Sequence, residues 1–128
     1  MFEIDFEKNN GLVPVIVQDY RTKKVLMLGY MDKKAFSKTF KSGKATYYSR
    51  SRKALWQKGQ TSGHEQIVKE IRVDCDKDTI LLKVEQKKAA CHKGYETCFF
   101  LKVEGKGLKI TESKIFEPEK VYEKWKKN

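Results

Sequence analysis

The sequence predicts an α+β fold: a single strand-rich domain of mostly antiparallel sheet, with one short helix and a second helix candidate at the C-terminus. Three observations lead there. Four runs rich in β-branched and aliphatic residues, at 12–18, 24–30, 67–73 and 79–85, are bounded by polar or turn-forming residues. Only one stretch before the C-terminal tail carries helical capping signals at both ends. The length, 128 residues, is that of one ordinary domain, so residues 1–128 are read as a single unit.

Taken in order, Leu12 to Gln18 and Lys24 to Tyr30 flank the polar DYRTK and read as a hairpin. Pro14 places the first strand at an edge or at its own beginning, because proline cannot donate to a ladder. Asp32 is the N-cap of a helix through Lys41, with Phe36 and Phe40 one turn apart on its apolar face and Gly43 just past its end. Ala45 to Ser49 resumes strand, and SRSRKALWQKGQTSG reads as a long irregular loop closed by Thr-Ser-Gly. Ile67 to Val73, Thr79 to Glu85 and Cys98 to Glu104 are further strands, and Lys87 to Thr97 is a connecting loop. Beyond Gly105 to Gly107 lie a small strand candidate and a helix start at Pro118, with Val121, Tyr122 and Trp125 on one face.

Composition narrows the class. Hydrophobic residues at 39% and charged residues at 35% describe a soluble globular chain. No apolar run approaches the ~20 residues of a membrane span, and MFEIDFEKNN lacks the layout of a secretory signal, so a cytoplasmic protein is expected. Three cysteines, Cys75, Cys91 and Cys98, are an odd number without an export signal. That argues against a disulfide framework and for thiols that stay reduced, bind metal or react. The net charge is +11, and Lys33 to His64 holds nine lysines and arginines with no Asp or Glu. Such a stretch suits a phosphate, on a nucleic acid or a small molecule; a solvated lysine face is the plainer reading.

Two clusters stand out chemically. In RVDCDKD, an extended backbone would put Asp74, Asp76 and Asp78 on one face and Cys75 on the other. Three adjacent carboxylates suit a hard cation such as magnesium, although Asp-Lys-Asp-Thr between two strands is equally good turn chemistry. Cys91 and Cys98 have six residues between them, and no fourth cysteine completes a structural zinc site. Three thiolates would leave the open position that a catalytic zinc keeps for water; buried, inert thiols are the alternative. His92 and His64 are candidate ligands or proton carriers. The segment from Tyr47 to Gly63 combines guanidinium, hydroxyl and glycine groups suited to phosphate oxygens, while Tyr47, Tyr48 and Trp56 fit either a base stack or the core.

In sequence, VLMLGYM, ATYYSRSRKALWQKGQTSG, IRVDCDKDTILLKVEQ and AACHKGYETCFF together resemble the phosphoribosyl-AMP cyclohydrolase family of histidine biosynthesis, over residues 12–103. The resemblance implies hydrolytic opening of the adenine ring of N1-(5-phosphoribosyl)-AMP at the N1–C6 bond, with zinc and magnesium, by an intertwined homodimer. It further implies that Cys75, Cys91 and Cys98 are zinc ligands, with Cys75 lying across the dimer interface from the other two. Asp74, Asp76 and Asp78 match the magnesium aspartates, and His92 a proton-transfer residue. Ser49, Arg50, Ser51, Arg52, Trp56, Lys58, Gly59, Thr61, Ser62 and Gly63 match the substrate-binding loop. Lys93, Tyr95-Glu96 and His64 depart from the family pattern without touching the metal set. The 25 residues after the matching blocks, 104–128, are far too few for the pyrophosphohydrolase domain to which some members are fused, so a monofunctional form is expected.

Two rivals remain. A zinc-stabilised nucleic-acid-binding module would use the basic stretch and its aromatics but gives no role to the three aspartates. A purely structural zinc protein leaves the phosphate-suited loop unexplained.

Overall fold

A computed structural model describes residues 3–120. A 3-10 turn, Glu7–Asn9, precedes the hairpin of β1 (Val13–Asp19) and β2 (Val25–Met31), and α1 (Lys33–Ser42) follows directly. Then come β3 (Thr46–Ser49), β4 (Ala54–Gln57), β5 (Gln66–Val73), β6 (Ile80–Gln86), β7 (Leu101–Glu104) and β8 (Gly107–Ile110). The main sheet has the order β2-β1-β6-β5, while β3-β4 and β7-β8 form two separate antiparallel pairs. The chain is thus the strand-rich α+β domain expected. Among the described residues no helix is long and apolar enough to cross a membrane.

The main sheet is antiparallel at β1–β2 and β5–β6 but parallel at β1–β6. The parallel pair arises because β6 reaches β1 only after the chain has crossed over through α1, β3-β4 and β5. Pro14 pairs with Tyr30 on the β2 side, whereas the ladder to β6 begins only at Val15. Of the two placements expected for Pro14, its own strand's beginning is therefore the one found. Alternation builds the core: Val13, Val15 and Val17 of β1 and Ile80, Leu82 and Val84 of β6 are wholly buried on one face. Leu26, Met31, Ala35, Ala45 and Tyr47 close over them.

Asp32 caps α1 by accepting the Ala35 backbone N–H at 2.8 Å, and Gly43 ends the helix at φ 74°, a left-handed conformation that costs glycine nothing. The buried face differs in part from the expected one. Ala35 and Thr39 point inward, the Thr39 hydroxyl donating to the Ala35 and Thr46 carbonyls. Phe36, partly buried, packs against the same core as expected and stacks on Phe40 at 6.2 Å, whereas Phe40 is 52% exposed. A small residue at 35 lets the helix approach the sheet more closely than an aromatic would.

Three further expectations are corrected. The supposed irregular loop after Ser49 contains β4, whose Ala54–Gln57 pairs residue by residue with β3. Asp74 to Asp78 is a turn between β5 and β6 rather than extended strand: the Asp74 carboxylate accepts the Asp78 and Thr79 N–H groups at 3.0 and 3.2 Å, and Lys77 takes φ 61°. The strand expected from Cys98 begins at Leu101. Before it, the Thr97 hydroxyl donates to Val25 O and the Cys98 N–H to Leu26 O, pinning an irregular segment to β2. The small strand after Gly105 is β8. The helical face of Val121, Tyr122 and Trp125 lies outside the described residues.

Gln66 is a wholly buried polar residue of the core. Its Oε1 accepts the Tyr47 hydroxyl at 2.5 Å and its Nε2 donates to Gln86 Oε1 at 2.7 Å. Burial holds the Tyr47 phenol far above its ordinary pKa, so it remains a protonated donor. Tyr47→Phe removes that donor from a buried carbonyl and should lower unfolding free energy by about 1–3 kcal/mol in urea denaturation. Asp32→Ala should lose about 1 kcal/mol in the same assay, through the cap alone.

Candidate active site

Beyond β6 the chain forms a tight loop that presents Cys91. The Ala90 N–H donates to Glu96 O at 2.9 Å and the Cys91 N–H to Tyr95 O at 3.2 Å, closing the loop on itself. Gly94 is required at its tip: φ is 102°, and a β-carbon there would stand 2.7 Å from Phe116 O. Cys98 returns beside Cys91, near enough for the Cys91 sulfur to act on its thiol. Cys98 is exposed as a residue, yet protein crowds its sulfur. Loss of hydration and the neighbouring Cys91 together push its thiol up to about 11, against a weaker opposing pull from Lys58. Cys91 is buried, and His92 beside it is exposed.

Lys58 reaches this pair from the end of β4. Its Nζ donates to Ala90 O at 2.5 Å and lies 5.6 Å from the centre of the Trp56 ring. Burial lowers its pKa, against the raising pull of the two sulfurs. The sequence around it folds back sharply. Gly63 N–H donates to Gly59 O at 2.8 Å, and Gly59, at φ 87°, has the Glu65 backbone so near that a β-carbon would meet its nitrogen at 2.5 Å.

The loop residues separate into groups. Ser49, Arg52, Trp56, Lys58, Gly59, Thr61 and Ser62 line a cleft of 370 Å³ together with His92. A second cleft, of 1160 Å³, shares Arg52 and His92 with the first and continues over Lys93, Tyr95, Phe100 and Lys114. Ser51 and Gly63 line neither cleft. Ser51 Oγ lies 3.4 Å from Ser49 Oγ, while Arg50 stacks on the Tyr30 ring at 4.0 Å. Tyr47 belongs to the core, and Trp56 packs on it at 5.5 Å with one edge left to the cleft. The His64 ring meets the Phe116 ring nearly at right angles, with centroids 4.7 Å apart. Burial first, then the positive charges of Lys58 and Lys88, lower the His64 pKa.

Asp74, Asp76 and Asp78 offer carboxylate oxygens within 4.8 Å of one another. Asp78 also pairs with Lys8 at 2.9 Å, which holds its carboxyl below the ordinary range. Hard oxygens in this number suit a magnesium ion that retains waters. The two sulfurs of Cys91 and Cys98 are soft donors that suit zinc. Cys75 does not join them. It sits exposed in the turn before β6, and Cys91 follows β6. The seven residues of β6 interpose roughly 20 Å at ~3.3 Å per residue.

Some positioning residues escaped the sequence reading. Lys24 bridges Glu96 at 2.9 Å and Glu112 at 2.5 Å, tying the cysteine loop to the segment after β8. Gln86 Nε2 donates to the carbonyls of His64 and Ala89, both at 3.2 Å. The available signal for Gln66 and Gln86 was one long amide at each of the two facing ends of a strand pair.

Comparison with known proteins matches residues 27–100 to the family model described as Phosphoribosyl-AMP cyclohydrolase. The chain is 60% identical over 124 residues to the phosphoribosyl-AMP cyclohydrolase of Desulforapulum autotrophicum, covering 95% of this chain and 99% of that protein. It is 55% identical over 113 residues to the enzyme of that name from Methanothrix thermoacetophila, covering 88% and 91%. It is also 51% identical over 121 residues to the histidine biosynthesis bifunctional protein HisIE of Thermoanaerobacter pseudethanolicus, covering 94% of this chain and 56% of that longer protein. Two sulfurs beside a histidine and a basic cleft thus coincide with matches over nearly the whole length: the chain belongs to the phosphoribosyl-AMP cyclohydrolase family.

Proposed function

We propose that this protein hydrolyses N1-(5-phosphoribosyl)-AMP at the N1–C6 bond of its adenine ring, a step of histidine biosynthesis. The observation that carries this reading is His92. It follows a buried cysteine paired with a second one, and it lines both clefts together with Arg52. Cys91 and Cys98 would hold zinc with Cys75, and Asp74, Asp76 and Asp78 would hold magnesium. Bound there, zinc supplies the Lewis acidity that makes water a nucleophile near neutral pH, and magnesium offsets phosphate charge.

The chain's own groups do the rest. Arg52 at the junction of the clefts, with the hydroxyls of Ser49, Thr61 and Ser62, grips phosphate oxygens, and the exposed Trp56 edge flanks the purine. His92 moves the proton that lets the N1–C6 bond break. The separation of Cys75 from Cys91 along β6 supports a homodimer in which the turn of one chain completes the sulfur set of the other. Leu101, Val103, Leu108 and Ile110 on β7-β8 are all exposed, which is apolar surface suited to a second copy.

Stripping zinc with a tight chelator should abolish turnover of phosphoribosyl-AMP, and re-adding zinc should restore it. A folded, zinc- and magnesium-loaded protein that never turns over would overturn the assignment and bring salt-dependent nucleic-acid binding forward. His92→Ala should lower kcat by about 10²- to 10⁴-fold with zinc content unchanged. Near-normal turnover across the pH range would remove His92 from the mechanism.

A further inference from the structure

We propose that Lys58 is a positioning residue of the cysteine site: its ammonium is the fixed counter-charge of the Cys91 and Cys98 thiolates when they hold a metal, not a clamp for substrate phosphate. The inference rests on the zinc reading of those cysteines and gives the loop's buried cation a different task from its arginines.

The geometry restrains Lys58 at both ends. Its backbone N–H donates to Ala45 O at 3.0 Å, and its Nζ donates at 2.5 Å to Ala90 O, the carbonyl on the residue before Cys91. The Trp56 ring lies 5.6 Å from the ammonium. A cation so held cannot swing out to follow a phosphate, whereas Arg52 is exposed at the mouth of the same cleft. Burial works against the charge of Lys58, and the groups that favour it are the Cys98 and Cys91 sulfurs. Three thiolates around a dication leave one net negative charge in a poorly solvated place, and one ammonium offsets it. Because Nζ is fastened to the carbonyl next to Cys91, the same side chain also sets where that sulfur stands, as groups just outside a metal's ligands commonly do.

The test compares the full-length wild-type protein with Lys58→Gln, Lys58→Met and Lys58→Arg. Zinc affinity is measured by competition with a chelating dye, and KM is measured at saturating zinc. Gln keeps a donor for Ala90 O without charge, Met keeps the volume alone, and Arg keeps the charge. The Gln and Met variants should bind zinc about 10- to 100-fold more weakly, while Arg recovers most of the loss and any rise in KM at saturating zinc is much smaller than the loss of zinc affinity. Far-UV CD of the zinc-free forms checks that each variant folds, and two uncharged variants of different polarity keep the comparison usable if one does not. Unchanged zinc affinity with a raised KM would overturn the inference and return Lys58 to phosphate binding. A wild-type protein that takes up no zinc would overturn the metal reading and this inference with it.

Discussion

A chain of hydrogen bonds from one phenol through two side-chain amides holds the sheet and the site loops in register. Tyr47 donates to Gln66, Gln66 to Gln86, and Gln86 to the carbonyls of His64 and Ala89. Each link joins a different element: β3, the start of β5, the end of β6, and the two loops that carry the basic cleft and Cys91. Burying Gln66 completely would be expensive without partners. With them, the amides specify one arrangement of strands that apolar packing alone would leave free to slip. No buried side-chain nitrogen or oxygen among the described residues lacks a partner, so the network is closed.

The site inherits its rigidity from this network. Ala89 accepts from Gln86, and Ala90 accepts from Lys58, so consecutive carbonyls are each held by a side chain just before Cys91. Lys24 then ties Glu96, on the returning limb, to Glu112. The cysteine pair therefore sits on a loop only in the sense of lacking regular structure; its backbone is fastened at both ends.

Where local chemistry decided the structure, the sequence was legible. The Asp32 cap, the Gly43 stop and the alternating valines of β1 act within a few residues and need no tertiary help. The features that were misread depend on distant groups. β4 is four residues carrying Trp56 and Gln57, and it becomes a strand only because β3 lies opposite. The aspartates converge as expected, but by a turn in which Asp74 accepts two backbone N–H groups, and not by strand alternation. Phe36 and Phe40 gave the stronger apolar signal on α1, yet close approach to the sheet favoured Ala35 and Thr39. The family resemblance pointed to loop residues that line one cleft with His92, whereas Gln66, Gln86 and Lys24 act through packing that no short motif records.

The length of β6 then determines what one chain can assemble. It carries the core through Ile80, Leu82 and Val84, so it cannot shorten without losing three buried side chains. The same strand keeps the turn bearing Cys75 and the three aspartates at one end and the Cys91 loop at the other. A site using all six groups therefore cannot close within one copy of this sheet while β6 remains intact. The demands of the core on β6 thus hold the turn with Cys75 and the aspartates apart from the Cys91 loop, at opposite ends of one buried strand.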